Sequence, residues 1–133
     1  MGIADLFNFI CMGNGDRQMS ITPVQIEKRL VDLSKEIDEA HIDLVEAENE
    51  FSIATAQYEV AMAKSRIKNS HADMKMTATM REDQALIENE ILFSRVALAE
   101  AQVKASRANA NRLRTQVDIT RSVSSSVKAS LDL

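Results

Sequence analysis

Residues 22–68, TPVQIEKRLVDLSKEIDEAHIDLVEAENEFSIATAQYEVAMAKSRIK, carry apolar side chains at Ile26, Leu30, Leu33, Ile37, Ala40, Leu44, Ala47, Phe51, Ala54, Tyr58 and Ala61. The steps between them alternate between four and three residues without a slip. That is the period of about 3.5 residues of a helix seam that supercoils against a partner. Thr22-Pro23-Val24-Gln25 is the start of this helix. Thr22 can cap the amide of Gln25, whose side chain reaches back in a capping box, and Pro23 takes the first helical position, where its missing N–H costs nothing. Nothing stops the helix before about Asn69, so it spans 22–68 and about 70 Å.

Along this seam Leu30, Ile37, Leu44, Phe51 and Tyr58 occupy one heptad position, while Ala40, Ala47, Ala54 and Ala61 fill most of the other. Large against small lets a neighbouring helix approach to the short end of the ~8–10 Å range. The stretch NSHADMKMTAT at 69–79 loses the pattern and ends in Thr79-x-x-Glu82, a second possible capping box, so a turn is expected there. A second helix over 79–131 repeats the steps of four and three at Leu92, Val96, Ala99, Val103, Ser106, Ala110, Leu113, Val117, Thr120, Ser124, Val127 and Leu131. Its seam is weakened by Ser106, Thr120 and Ser124, so fraying is expected after about Val123.

At the other end, residues 1–16 form an N-terminal segment and turn. Ile3, Leu6, Phe7 and Ile10 share one face of a short amphipathic helix, and Gly13, Asn14 and Gly15 break it. This helix reads as a cap on a bundle or as a docking peptide for a partner protein. A membrane-surface anchor is disfavoured because its polar face has no lysine or arginine.

Composition agrees with long helices: of 133 residues three are glycine, one is proline and none is tryptophan. A net charge of −4 leaves nucleic-acid or membrane attraction to a local patch. Cys11 is the only cysteine, which rules out an internal disulfide and favours a reducing compartment. No run approaches the ~20 apolar residues of a membrane span. A secretory signal is not matched either, nor is myristoylation, which wants Ser or Thr where Leu6 stands. The cytoplasm is therefore the expected location.

Charge chooses the arrangement. Residues 22–63 hold ten acids and three bases, residues 103–131 hold six bases and one acid, and the signs reverse on either side of the turn. Folding back near residue 74 lets each acidic half meet a basic half, so the expected fold is all-α, a long antiparallel helical hairpin. Glu36, Asp43 and Glu50 share the flanking position g of the first heptad, and Arg107, Arg114, Arg121 and Lys128 share position e of the second. Acidic g facing basic e is a parallel-helix pairing. A second hairpin packed antiparallel on the first would supply it, giving a dimer with a four-helix core. Ile53, Val60 and Ile67 on one helix, and Ile91, Leu98 and Ile119 on the other, form apolar rows off the seam that a monomer would leave wet. An oligomeric helical bundle is expected on both grounds.

Chemistry is hard to place in this chain. His41 and His71 lie 30 residues apart without cysteine or acidic partners at ligand spacing, and no HExxH, CxxC, aspartate-rich loop or glycine-rich phosphate loop occurs. Neither metal nor cofactor is expected, and the chain reads as no enzyme. The one basic stretch, 104–128, offers Lys104, Arg107, Arg114, Arg121 and Lys128 to an acidic partner or to nucleic acid. It lacks stacking aromatics, and internal pairing with the acidic helix competes.

The stretch ENEILFSRVALAE at 88–100 continuing into AEAQVKASRANANRLRTQVDITRS at 99–122 resembles short helical proteins of tailed phages that are encoded among early replication and recombination genes. The resemblance implies a phage origin, the host cytoplasm, and a non-enzymatic accessory role. It carries no catalytic residues. The expected function is an oligomeric accessory protein that binds a phage or host protein. The alternatives are a nucleic-acid-binding accessory using the 104–128 stripe, and a structural component of a virion or filament.

Overall fold

The structure is a computed structural model that describes residues 21–72 and 75–132. The N-terminal segment expected over 1–16, with Ile3, Leu6, Phe7, Ile10 and Cys11, lies outside the described residues. Within them the chain is all-helical, 94% helix with no strand. Three helices follow in order: α1 (Pro23–Ala72), α2 (Ala78–Glu88) and α3 (Glu90–Leu131). Their described residues pack as two compact units, one of 21–39 with 111–132 and one of 40–110.

The start of α1 is the expected capping box. The Gln25 amide donates to Thr22 Oγ1 at 3.3 Å, and the Thr22 amide donates to Gln25 Oε1 at 3.1 Å. Its end differs from the expected 68, since α1 continues to Ala72. The second cap is also displaced. Thr77 Oγ1, not Thr79, accepts an otherwise free amide of the first turn, that of Met80 at 3.2 Å, and α2 begins at Ala78. The acid at Glu82 favours Thr79 by spacing, but a cap is chosen by where the chain leaves extended backbone, and that is Thr77. Thr77→Ala is accordingly expected to lower stability by about 1 kcal/mol in urea denaturation, while Thr79→Ala stays within about 0.5 kcal/mol.

A single helix over 79–131 is not what forms. Asn89 separates α2 from α3 with φ −113° and ψ 24°. Its side-chain amide donates to Ala85 O at 2.8 Å and to Ser65 Oγ on α1 at 2.9 Å. An asparagine side chain competes with the backbone for helix carbonyls, which explains a break with no glycine or proline present.

The 40–110 unit takes α2, the first half of α3 and the matching part of α1. As residue numbers rise along α1 they fall on the facing helices: Glu48 meets Arg107 at 3.4 Å, the Tyr58 and Phe93 rings stand 5.8 Å apart, and Arg66 meets Glu82 at 2.8 Å. Lys68 and Glu88 are 3.9 Å apart. The reversed charges beside the turn thus find each other, each exposed pair contributing about 0–1 kcal/mol. Ala40, Ala47 and Ala54 are buried, while Leu44, Phe51 and Tyr58 are half-buried. Small side chains occupy the line of closest approach and the large ones flank it. Past Tyr58 the a position continues at buried Ser65, but the other seam position moves by one residue, to Met62 and Asn69, which are buried where Ala61 is only half so. A helix of 3.6 residues per turn drifts about 20° per heptad against a strict 3.5 repeat, and this is where the drift is absorbed.

In the other unit Ile26, Leu33, Leu113 and Thr120 are buried as the seam requires. The polar seam does not end the helix. The Thr120 hydroxyl donates to Gln116 O at 2.7 Å, and Ser122, Ser125, Ser126 and Ser130 donate to carbonyls four residues back. With these hydroxyls satisfied by their own helix, α3 runs to Leu131. Leu131, placed in the seam by its spacing, is exposed. Two polar residues beside the seam are buried together: Arg29 donates through Nη2 to Gln116 Oε1 at 3.0 Å, and its Nη1 pairs with Glu36 at 3.1 Å.

Candidate interaction surface

Heptad labels organise the sides of the 40–110 unit. With Leu44, Phe51 and Tyr58 at a and the buried alanines at d, Glu48 is at e, and so is Arg107 on α3. Helices that run in opposite directions bring e to e on one side and g to g on the other. The Glu48–Arg107 pair is the e side. The g side is a groove of about 940 Å³. Ala47, Ala54, Ala99 and Ser106 at the d positions line its floor, and Asp43, Glu46 and Glu50 give the α1 wall negative charge opposite Arg95 on α3.

The walls also carry Ile53 from α1 and Leu98 from α3. A shallower hollow shares Arg95 and Leu98 with the groove and adds Ile91. Another shares Gln57 and adds Val60, Ala61 and Lys64. Ile53, Val60, Ile91 and Leu98 of the off-seam rows therefore border hollows of one unit that share lining residues. Their exposure is high, from 54% at Val60 to 73% at Leu98, and Ile67, one heptad beyond Val60, is 62% exposed. Ile119, in the other unit, is 38% exposed. A few scattered exposed apolar residues are ordinary on a protein surface; these recur at heptad spacing along one side of the unit.

The basic stripe is divided. Lys104 pairs with Glu100 at 3.1 Å and Arg107 with Glu48, both within 40–110. Arg114, Arg121 and Lys128 belong to the other unit, are exposed, and have no ion-pair partner shown among the described residues. His41 is exposed, as expected of a solvated helix residue. Among the described residues no three His, Cys, Asp or Glu side chains gather as a metal site, and no helix is long and apolar enough to cross a membrane. The buried Arg29–Gln116 pair escaped the sequence reading. Its one signal is that both are long polar residues at g, adjoining the seam. No family model, curated protein or solved structure matches the chain.

Proposed function

We propose that the chain is a non-enzymatic helical interaction protein, an antiparallel coiled-coil hairpin that works by binding protein through the groove side of residues 40–110. The observation that carries this reading is the more than half exposed Ile53 and Leu98 on the walls of a groove with a small-residue floor, continued by exposed Val60, Ile67 and Ile91 at heptad spacing. Apolar side chains at heptad spacing next to small ones suit the packing of another helix, which reads such a row through anchors about two turns apart. Assembly into an oligomeric helical bundle follows from the same row. The resemblance of 88–122 to phage accessory proteins supports a phage origin, action in the host cytoplasm, and a partner of phage or host.

A photo-crosslinking residue placed singly at Ile53 or Leu98, in cells producing the full chain, tests the reading. Adducts with protein are expected from both positions, and far fewer from Asn49, exposed at the f position of α1. Absence of protein adducts from 53 and 98, or equal yield from 49, would contradict it.

The exposed Arg114, Arg121 and Lys128 favour a second reading, a nucleic-acid-binding accessory. It requires DNA or RNA affinity that falls steeply with salt and is lost when these three are neutralised.

A further inference from the structure

We infer that the groove side of residues 40–110 is closed by a second copy of the same chain, related by a two-fold axis that crosses α1 at Gln57 and α3 between Ser94 and Arg95. The inference rests on the proposed docking role of that side and names its occupant.

Self-complementarity is written in the positions of the side chains. Ile53 and Val60 lie four and three residues on either side of Gln57 on α1, with their midpoint at the Ala56–Gln57 bond, half a residue from the axis. Ile91 and Leu98 straddle the Ser94–Arg95 bond on α3. The two midpoints lie at the same level. The ring contact sets Tyr58 beside Phe93. One midpoint falls between one and two residues before Tyr58, the other between one and two after Phe93, and the helices run in opposite directions here. Both are therefore displaced the same way, by about 2 Å at 1.5 Å per residue. One axis perpendicular to the helices serves both rows. It stacks α1 on the second copy's α1 and α3 on the second copy's α3, each antiparallel.

Charge follows the same symmetry. Glu50 and Lys64 stand seven residues on either side of Gln57, and Glu46 and Lys68 stand eleven on either side. Seven and eleven residues are close to two and three helical turns, so all five fall on one face. The axis brings Glu50 of each copy to Lys64 of the other and Glu46 to Lys68, so the negative wall of the groove receives the positive end of the same helix. Glu50 and Lys64 are exposed and make no ion pair shown among the described residues. Lys68 has only a loose contact to Glu88, at 3.9 Å. Ile67 of the second copy then lies over the Ala47 floor, Val60 over Ile53, and Ile91 over Leu98. A contact made under a two-fold axis is made twice, as in an isologous interface.

Charge reversal with rescue tests the register on the full chain. Glu50 and Lys64 are fourteen residues apart, about 21 Å along the helix, and do not touch within one chain. Sedimentation at low salt is expected to show a dimer that Glu50→Lys weakens about tenfold, Lys64→Glu likewise, and the double reversal restores to within about threefold. Helicity by circular dichroism should be unchanged throughout. In a chain with Cys11→Ser, a lone cysteine from Gln57→Cys should link two copies under mild oxidation, because the axis places it against itself, whereas one from Glu46→Cys should not. A monomeric chain at high micromolar concentration overturns the inference, and so does a dimer whose single reversals have no effect or are not rescued. Adducts from Ile53 or Leu98 to a different protein, with the chain itself monomeric, would overturn the second copy as occupant and leave the docking role standing.

Discussion

Leu33→Ala is expected to destabilise the chain by about 2–5 kcal/mol, the largest effect of any conservative truncation in the helices. Leu33 is fully buried, with 0% of its surface exposed, in the unit that joins 21–39 to 111–132. The loss combines the transfer energy of the removed carbons with the cavity left behind, and a seam of two helices has few neighbours that can collapse into it. Urea denaturation followed by circular dichroism checks this through a lower midpoint at an unchanged slope. Ile53→Ala and Leu98→Ala provide the contrast. Their side chains are 58% and 73% exposed, so under dilute, monomeric conditions each should cost less than about 0.5 kcal/mol. Equal effects at Leu33 and Leu98 would mean that the buried seam has been wrongly assigned.

The second large effect lies in the polar pair of the same unit. Arg29 is 8% exposed and Gln116 1%, and they share a 3.0 Å hydrogen bond. Gln116→Leu removes the acceptor of a buried guanidinium and is expected to cost about 1–3 kcal/mol, more than a neutral hydrogen bond of that length would imply. Arg29→Met should also destabilise, because it strips Gln116 of its partner and Glu36 of its ion pair. The double variant, by contrast, replaces the pair with apolar side chains and is expected to match or exceed the parent, as buried ionic groups often yield to well-packed apolar ones. A double-mutant cycle should return a coupling of at least about 1 kcal/mol. Additive losses would show that the two side chains act independently. The Gln116 Nε2 atom is buried without a hydrogen-bond partner among the described residues, a cost consistent with a pair that fixes the alignment of the two segments more than it stabilises them.

Much of this fold is legible in the sequence because a helix seam is a periodic signal that local irregularities do not erase. Ile26, Leu33, Ala40, Ala47 and Ala54 are all buried at the positions their spacing gives them, and the capping box at Thr22 is set by residues only three apart. The departures share a different character, since each depends on three-dimensional competition. Asn89 is tolerated in a helix until a neighbour such as Ser65 offers it a better arrangement. Thr77 and Thr79 are equivalent as letters, and only the path of the turn selects between them. The shift from Ala61 to Met62 is an accumulated rotation too small to register in any one heptad. Arg29 and Gln116 adjoin the seam, but which long polar residues fold inward is decided by the partner they find there.

The interaction surface stands between these cases. The rows Ile53–Val60–Ile67 and Ile91–Leu98 are readable as apolar residues without a seam to fill. That Ile53, Val60, Ile91 and Leu98 border hollows sharing lining residues, and that the two rows centre at one level, becomes visible only when α1 and α3 are aligned through Tyr58 and Phe93. The acidic residues at g read as an interchain signal in both views, although their complement is now the basic end of the same helix in a second copy.

Light scattering on the full chain across the micromolar range tests the central claim most directly, with the Ile53→Glu/Leu98→Glu variant measured beside it. The mass is expected to rise to that of two chains for the parent and to stay at one chain for the variant, with helicity equal in the two. A parent that remains a single chain at every concentration, or a dimer indifferent to charge at 53 and 98, would contradict it.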